Sequence, residues 1–209
     1  MPIQWLFDEP LLFIVWVAAV LVALTIHEFS HAAVAVYFGD NTPKLMGRLS
    51  LNPLDHLDPL GFLMLMFLGF GWAKPVPINP YNLRNSRVGS ALVAAAGPLS
   101  NLLAIIIFSL SIRLLASFFA ADNLLIYFLF YLVLINFILF VFNLIPLPPL
   151  DGSKILFSLI PNRYNEFKYK LSVNGPWILL MIILFDNLSN LNLFSRLFGW
   201  SFFILSKFI

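Results

Sequence analysis

Apolar residues run almost unbroken through 10–38, 88–115 and 124–142, with shorter apolar runs at 60–70, 176–185 and 191–209. A helix needs about 20 such residues to cross the hydrocarbon core of a bilayer. The first three runs meet that length and predict three spanning helices. The run at 176–185 spans only if its helix extends to about Val173 and Leu188, and 191–209, with Arg196 inside it, is a further candidate. The run at 60–70 is too short to cross and is broken by Gly69, Gly71, Pro75 and Pro77. It predicts a small re-entrant or β-hairpin segment near 45–80, where protein or a wet cavity satisfies non-helical backbone. A secretory signal peptide begins with basic residues. Here Asp8 and Glu9 precede the first long run, and no Lys or Arg occurs before Lys44.

Composition strengthens this pattern. Of 209 residues, 61% are hydrophobic and 11% charged, against about 25% charged in a soluble domain. One soluble core cannot hide that much apolar surface, and a chain so apolar is not disordered. The net charge of +2 gives no sign of nucleic-acid binding. The absence of cysteine excludes disulfides, thiolate nucleophiles and Cys-ligated metals. The loop after the first run holds Lys44, Arg48, Lys74, Arg84 and Arg87, and the loop after the third holds Lys154, Arg163, Lys168 and Lys170. The alternate side holds Arg113 and, if the fourth segment spans, Arg196. Basic loops stay cytoplasmic, so the N-terminus is expected outside. The expectation is an all-α, multi-pass protein of the cell membrane, one membrane-embedded domain over 1–209.

Three ionisable residues sit within five positions of the first apolar run: His27, Glu28 and His31. On a helix His27 and His31 are i and i+4, on one face a turn apart. That spacing lets two imidazoles share one metal ion, with Glu28 able to reach the metal's open side. A short pattern of this kind also arises by chance. In a membrane helix, however, each charge costs about 2.5–3.5 kcal/mol on insertion scales, and a metal would offset that cost. Two histidines are one protein ligand short of a catalytic zinc site. His56 and a carboxylate compete for the place. Asp151 follows Pro146, Pro148 and Pro149 directly after the third run. On spacing alone it is equally a ligand or the N-cap of a short helix over 152–159.

At this point the residues resemble the site-2 protease family, intramembrane zinc metalloproteases, in its compact prokaryotic type. The matching pieces are His27-Glu28-Phe29-Ser30-His31, Gly97-Pro98-Leu99-Ser100-Asn101, and Asn143 with Pro146 and Leu150-Asp151-Gly152. The loop from Gly47 to Pro59 and the stretch Gly71-Trp72-Ala73-Lys74-Pro75-Val76 also match. The resemblance covers about 10–185 and leaves the tail 186–209 unassigned. It implies a three-helix catalytic core with one Zn²⁺ near the cytoplasmic side, to which the shorter apolar runs would add about two to three further membrane helices. It assigns the zinc to His27, His31 and Asp151, and the general base to Glu28. It implies that the substrates are transmembrane segments of other proteins. It also marks the absence of the PDZ and CBS domains that some relatives carry.

Several polar residues remain. Asn101, Asn143 and His56 are candidate donors to the oxyanion of the attack. Asn101 is equally an interhelical hydrogen bond, and Asn143 is equally a partner orienting Asp151. His56 is either a loop histidine near the headgroups or a group controlling access or touching the metal transiently. Gly97 and Ser100 are read as helix-packing residues. An edge strand within 45–80 is expected to clamp an unwound substrate by strand addition. The competing functions are a zinc or divalent-cation transporter, which should spread its sites over several helices, and a non-proteolytic scaffold of the same fold.

Overall fold

The computed structural model describes residues 2–120 and 122–189, and beyond these only Arg196, Gly199 and Phe203. The candidate crossing at 191–209 therefore lies outside the described residues. The described chain is helical and multi-spanning. A short helix α1 (Pro2–Asp8) leads into α2 (Pro10–Tyr37). Then come α3 (Thr42–Leu45), α4 (Pro59–Leu68), α5 (Ser86–Leu115), α6 (Leu124–Asn143), α7 (Asp151–Leu159) and α8 (Asn165–Ser189). Four of these have the length and apolar character to cross a membrane: α2, α5, α6 and the 165–186 part of α8. The segment at 176–185 thus extends upstream past Val173, and Pro176 is accommodated within its helix. Among the described residues one spanning helix, α8, stands beyond the three-helix core.

Helices α2, α5 and α6 pack against one another in all three pairings. Ala19 and Ala23, one turn apart on α2 and fully buried, let α6 approach closely through Leu129, Leu132 and Ile135. Small residues on one face are how helices associate in lipid, where no hydrophobic force draws them together. Ile105 on α5 meets Val133 and Phe137 on α6. Toward the other end Ala35 and Val93 join α2 to α5, with Leu83 of the preceding loop. Trp5 lies 6.4 Å from Trp16 and 6.3 Å from Tyr131, ring centroid to centroid. Such aromatic clusters suit a membrane–water interface. Large apolar side chains such as Leu99, Leu103, Ile106 and Leu110 of α5 remain exposed, as lipid contact requires. Helix ends are set by local chemistry. Asp58, Asn85 and Asn123 each accept a backbone N–H in the first turn of α4, α5 and α6, as N-caps do.

The 45–80 region departs from expectation. Among the described residues no strand forms and no re-entrant loop is evident, so the strand-addition clamp has no edge strand to use. Pro75, Pro77 and Pro80 have no N–H to give to a ladder. Pro59 sits at the start of α4, and Gly69 ends it in the left-handed conformation (φ 73°). The chain then returns along the same helix. A Cβ on Gly61 would collide with the Trp72 carbonyl, and one on Gly71 would come within 2.8 Å of Leu65 Cβ. Lys74 N–H donates to the His56 carbonyl at 2.8 Å. The region is a helix and a closely laid return strap, tied to the loop before it.

Candidate metal centre

His27 and His31 are buried on the C-terminal half of α2. Asp151 reaches them from beyond the end of α6. Prolines 146, 148 and 149 interrupt the helix there, and α7 begins at Asp151. The N-cap position belongs to Leu150, with no side-chain cap bond. The Asp151 carboxylate is turned away from the helix start and toward the histidines. Gly152 makes this turn possible, because a Cβ there would lie 2.6 Å from the Ile145 carbonyl and would also strike that of Leu144.

Three atoms converge. His27 Nε2 and His31 Nε2 are 3.1 Å apart, and Asp151 Oδ2 is 3.2 Å from the first and 3.0 Å from the second. The opposite ring nitrogens are held. His31 Nδ1 lies 2.7 Å from the Val93 carbonyl, which only accepts, so Nδ1 carries the proton and Nε2 presents its lone pair. His27 Nδ1 lies 2.6 Å from Asn101 Oδ1. Two bare imidazole nitrogens and a carboxylate oxygen aimed at one point repel one another unless a cation lies between them. Tetrahedral ligands at the usual zinc distances of about 2.0–2.1 Å stand roughly 3.3 Å apart, close to the spacing here. The N₂O donor set fits zinc. His27, His31 and Asp151 thus form a cluster compatible with holding a metal ion.

Two further features shape the cluster. Gly97 on α5 lies over it: a Cβ there would come 2.5 Å from His27 Cε1 and 2.7 Å from His27 Nε2, and would strike His31 Nε2. Gly97 therefore does more than pack helices; it clears the space in which the ring nitrogens face Asp151. Lys154 Nζ holds the other carboxylate oxygen, Asp151 Oδ1, at 3.1 Å. Glu28 is half-buried on α2, next to His27.

The remaining candidates divide. Asn101, fully buried, is brought to His27. Its amide N–H is committed to Asn136 Oδ1 at 2.7 Å. Asn143 is not brought to Asp151; it donates to the Leu139 carbonyl of its own helix at 3.1 Å. His56 is outside the cluster and 1% exposed, its Nε2 donating to the Ser50 carbonyl at 2.8 Å. It anchors the 50–56 loop, whose 3-10 turn Pro53–Asp55 packs on α2. Ser100 donates to the Gly97 carbonyl at 2.7 Å. Asn136 is a polar residue the sequence reading passed over, although a lone amide within an apolar run is a visible signal. The Val93 carbonyl, as backbone, leaves no such signal.

Comparison with known proteins agrees with this geometry. Residues 114–184 match Peptidase family M50, a stretch that holds Asp151 and α7. YwhC of Bacillus subtilis, whose name provisionally assigns it to the zinc metalloproteases, is 42% identical over 153 residues, 69% of this chain and 68% of its own length. Rip2 of Mycobacterium tuberculosis, similarly named, is 30% identical over 196 residues, 91% of this chain and 71% of that protein. Rip2 of Mycolicibacterium smegmatis is 31% identical over 177 residues, 82% of this chain and 66% of that protein. The chain thus spans about two thirds of the length of these relatives. No solved structure matches it. With its His27–His31–Asp151 cluster set among spanning helices, the chain belongs to peptidase family M50, the site-2 protease family of zinc metalloproteases.

Proposed function

We propose that this protein is an intramembrane endopeptidase that hydrolyses a peptide bond within transmembrane segments of other membrane proteins, with Glu28 activating the attacking water. The observation that carries the reading is the convergence of His27 Nε2, His31 Nε2 and Asp151 Oδ2 within 3.2 Å, one residue from Glu28. His27, His31 and Asp151 would hold one Zn²⁺. When bound, the zinc lowers the pKa of its water to about 7 and polarises the scissile carbonyl. Glu28 accepts the water's proton and passes it to the leaving amine, as a general base that then acts as a general acid. Asn101 acts here as the partner of His27 Nδ1, with one amide N–H given to Asn136. Asn143 gives one amide N–H to the Leu139 carbonyl, and His56 gives Nε2–H to the Ser50 carbonyl.

The N-terminus faces outside and the metal centre lies toward the cytoplasm. Two features support this orientation. The histidines sit near the end of α2 that leads into Lys44 and Arg48, and Asp151 sits at the end of α6 that leads into Lys154, Arg163 and Lys168. Basic segments favour the cytoplasmic side. The buried cluster draws two side chains from α2 and one from the start of α7, and the sequence shows no repeated halves, which favours hydrolysis over ion transport.

The test traps substrates on the Glu28→Ala protein in its native membrane. Trapped proteins are then cleaved by the wild-type protein in vesicles. Glu28→Ala is expected to retain zinc stoichiometrically and to cleave nothing, whereas Asp151→Ala loses zinc as well. Full cleavage by purified Glu28→Ala sinks the assigned role of Glu28.

A further inference from the structure

Beyond His27 a line of buried amides crosses the bundle. Asn101 on α5 and Asn136 on α6 are both fully buried. His27 Nδ1 meets Asn101 Oδ1 at 2.6 Å, Asn101 Nδ2 donates to Asn136 Oδ1 at 2.7 Å, and Asn136 Nδ2 donates to the Leu132 carbonyl at 2.7 Å. The direction of this line is fixed from its far end. A main-chain carbonyl only accepts, so Asn136 must turn its NH₂ toward Leu132 and its oxygen toward Asn101. Asn101 must then turn its NH₂ toward Asn136 and its oxygen toward His27. An amide oxygen facing Nδ1 requires the proton there, and Nε2 is left with its lone pair toward Asp151. Asn101 by itself does not set this order. A primary amide presents oxygen or NH₂ equally well after a half-turn, and NH₂ toward Nδ1 would move the ring proton to Nε2, where it would block ligation.

We infer that Asn136 is a positioning residue for the metal centre, polarising the Asn101 amide from the Leu132 carbonyl so that His27 is held as the Nδ1–H tautomer. The inference rests on the metal reading above for its consequence but not for its geometry. It assigns α6 a part in ligand chemistry: the first helix supplies the imidazole, the second the amide that touches it, and the third the carbonyl that orients that amide. Partners that fix a ligating histidine in this way typically matter about 10–100-fold in metal affinity. The buried amides also cannot fall back on water, so an unpaired one is costly.

The chain has three histidines, so ¹⁵N-histidine labelling gives an assignable spectrum of the metal-free protein in detergent or lipid. The wild-type protein is expected to show His27 protonated at Nδ1, where it faces Asn101 Oδ1, and a His27 whose Nδ1 is bare overturns the inference without any variant. Asn136→Leu is expected to convert His27 to a tautomer mixture and to weaken Zn²⁺ binding, titrated with zinc alone in a competing chelator, by 10–100-fold. Asn136→Asp, in its neutral acid form, still donates to Leu132 and accepts from Asn101. It is expected to restore both the spectrum and the affinity toward wild type, which a merely space-filling role for Asn136 would not require. Unchanged spectrum and affinity in Asn136→Leu overturn the inference. If the wild-type protein binds no zinc, the metal reading fails, while the tautomer pattern in wild type and Asn136→Leu still decides the relay.

Discussion

The two sides of the metal cluster are held in different ways. His27 and His31 come from an uninterrupted helix, where i, i+4 spacing alone puts them on one face. Their outer nitrogens are anchored to Asn101 and Val93, deep in the bundle. Asp151 comes from a break. The proline-rich turn after α6 delivers it, and Gly152 fits that turn beneath the Leu144 and Ile145 carbonyls. Lys154, about half exposed, holds its second oxygen. The far end of α7 is tied down by Arg87, which donates to the Leu159 carbonyl at 2.9 Å and to that of Ser158, and by Lys168 on the Ile160 carbonyl at 2.8 Å. A Cβ on Gly175 of α8 would come within 2.7 Å of Pro148. The histidine side therefore depends on buried neutral hydrogen bonds. The aspartate side depends on close backbone contact and on cations nearer to solvent, and it is the side that salt and small loop changes should reach first.

The sharpest way to break this division is to add one methyl group on each side. Gly97→Ala places a carbon against the Nε2 atoms of both clustered histidines, its nearest neighbours all being side-chain atoms. It is expected to abolish stoichiometric zinc binding, measured by elemental analysis of the purified protein, while helix content by circular dichroism stays at the wild-type level. Gly152→Ala instead meets two backbone carbonyls that cannot step aside. It is expected to lower stability by about 1–3 kcal/mol, the usual cost of overpacking, and to weaken zinc binding with it. If Gly97→Ala unfolds the protein and Gly152→Ala does not, the division is drawn the wrong way round.

Lys154→Met sharpens the comparison at lower amplitude. The ion pair to Asp151 has one exposed partner, and such pairs contribute about 0.2–1 kcal/mol. Zinc affinity is expected to fall by no more than about fivefold, by that same measure, and the difference from wild type should shrink in high salt, because exposed charges are screened. A salt-independent loss would mean that Lys154 acts through packing.

How much of this was legible follows the same division. The histidine pair and Glu28 are written in the spacing, because a helix converts i, i+4 into one face without help from the rest of the fold. Asp151 is written less clearly. Its neighbours Pro148, Pro149 and Gly152 signal a turn, but ligand and helix cap are equal on spacing alone, and only the direction of the side chain separates them. Val93 is not written at all, since any residue offers the same carbonyl. Asn143 takes a partner on its own helix for a physical reason. An asparagine in the last turn of a helix can satisfy itself on the carbonyl four residues back, and Asn143 does so on Leu139. The 45–80 segment misled because broken apolar character fits a hairpin and a helix with a return strap equally. The choice was made by prolines that cannot join a ladder and by the close approach of Gly61 and Gly71.

The smallest expected effect tests a charged tie at the far end of the histidine helix, away from the clustered side chains. Where α2 gives way to the loop, Asp40 is fully buried. It accepts from Thr42 N at 3.0 Å, Thr42 Oγ1 at 2.5 Å, Asn82 Nδ2 at 3.0 Å and Asn79 N at 2.6 Å. It thereby clasps the end of the histidine helix to the 79–82 turn that packs on α5. Burial pushes the Asp40 carboxyl up, but the hydrogen bonds from Thr42, Asn79 and Asn82 outweigh it and hold the group below the ordinary carboxylate range. A group depressed on folding contributes stability that is fully present above its unfolded pKa, about 3.9 for Asp, and lost as the pH falls through the lower folded value. Asp40→Asn is therefore expected to unfold at a lower temperature than wild type at pH 7, with the gap closing below about pH 4. Reading the gap between the two proteins cancels the acid sensitivity they share elsewhere in the chain. A gap that widens on acidification would mean the carboxylate is a burden to the folded state rather than its clasp, and the histidine helix would then owe its position to the bundle alone.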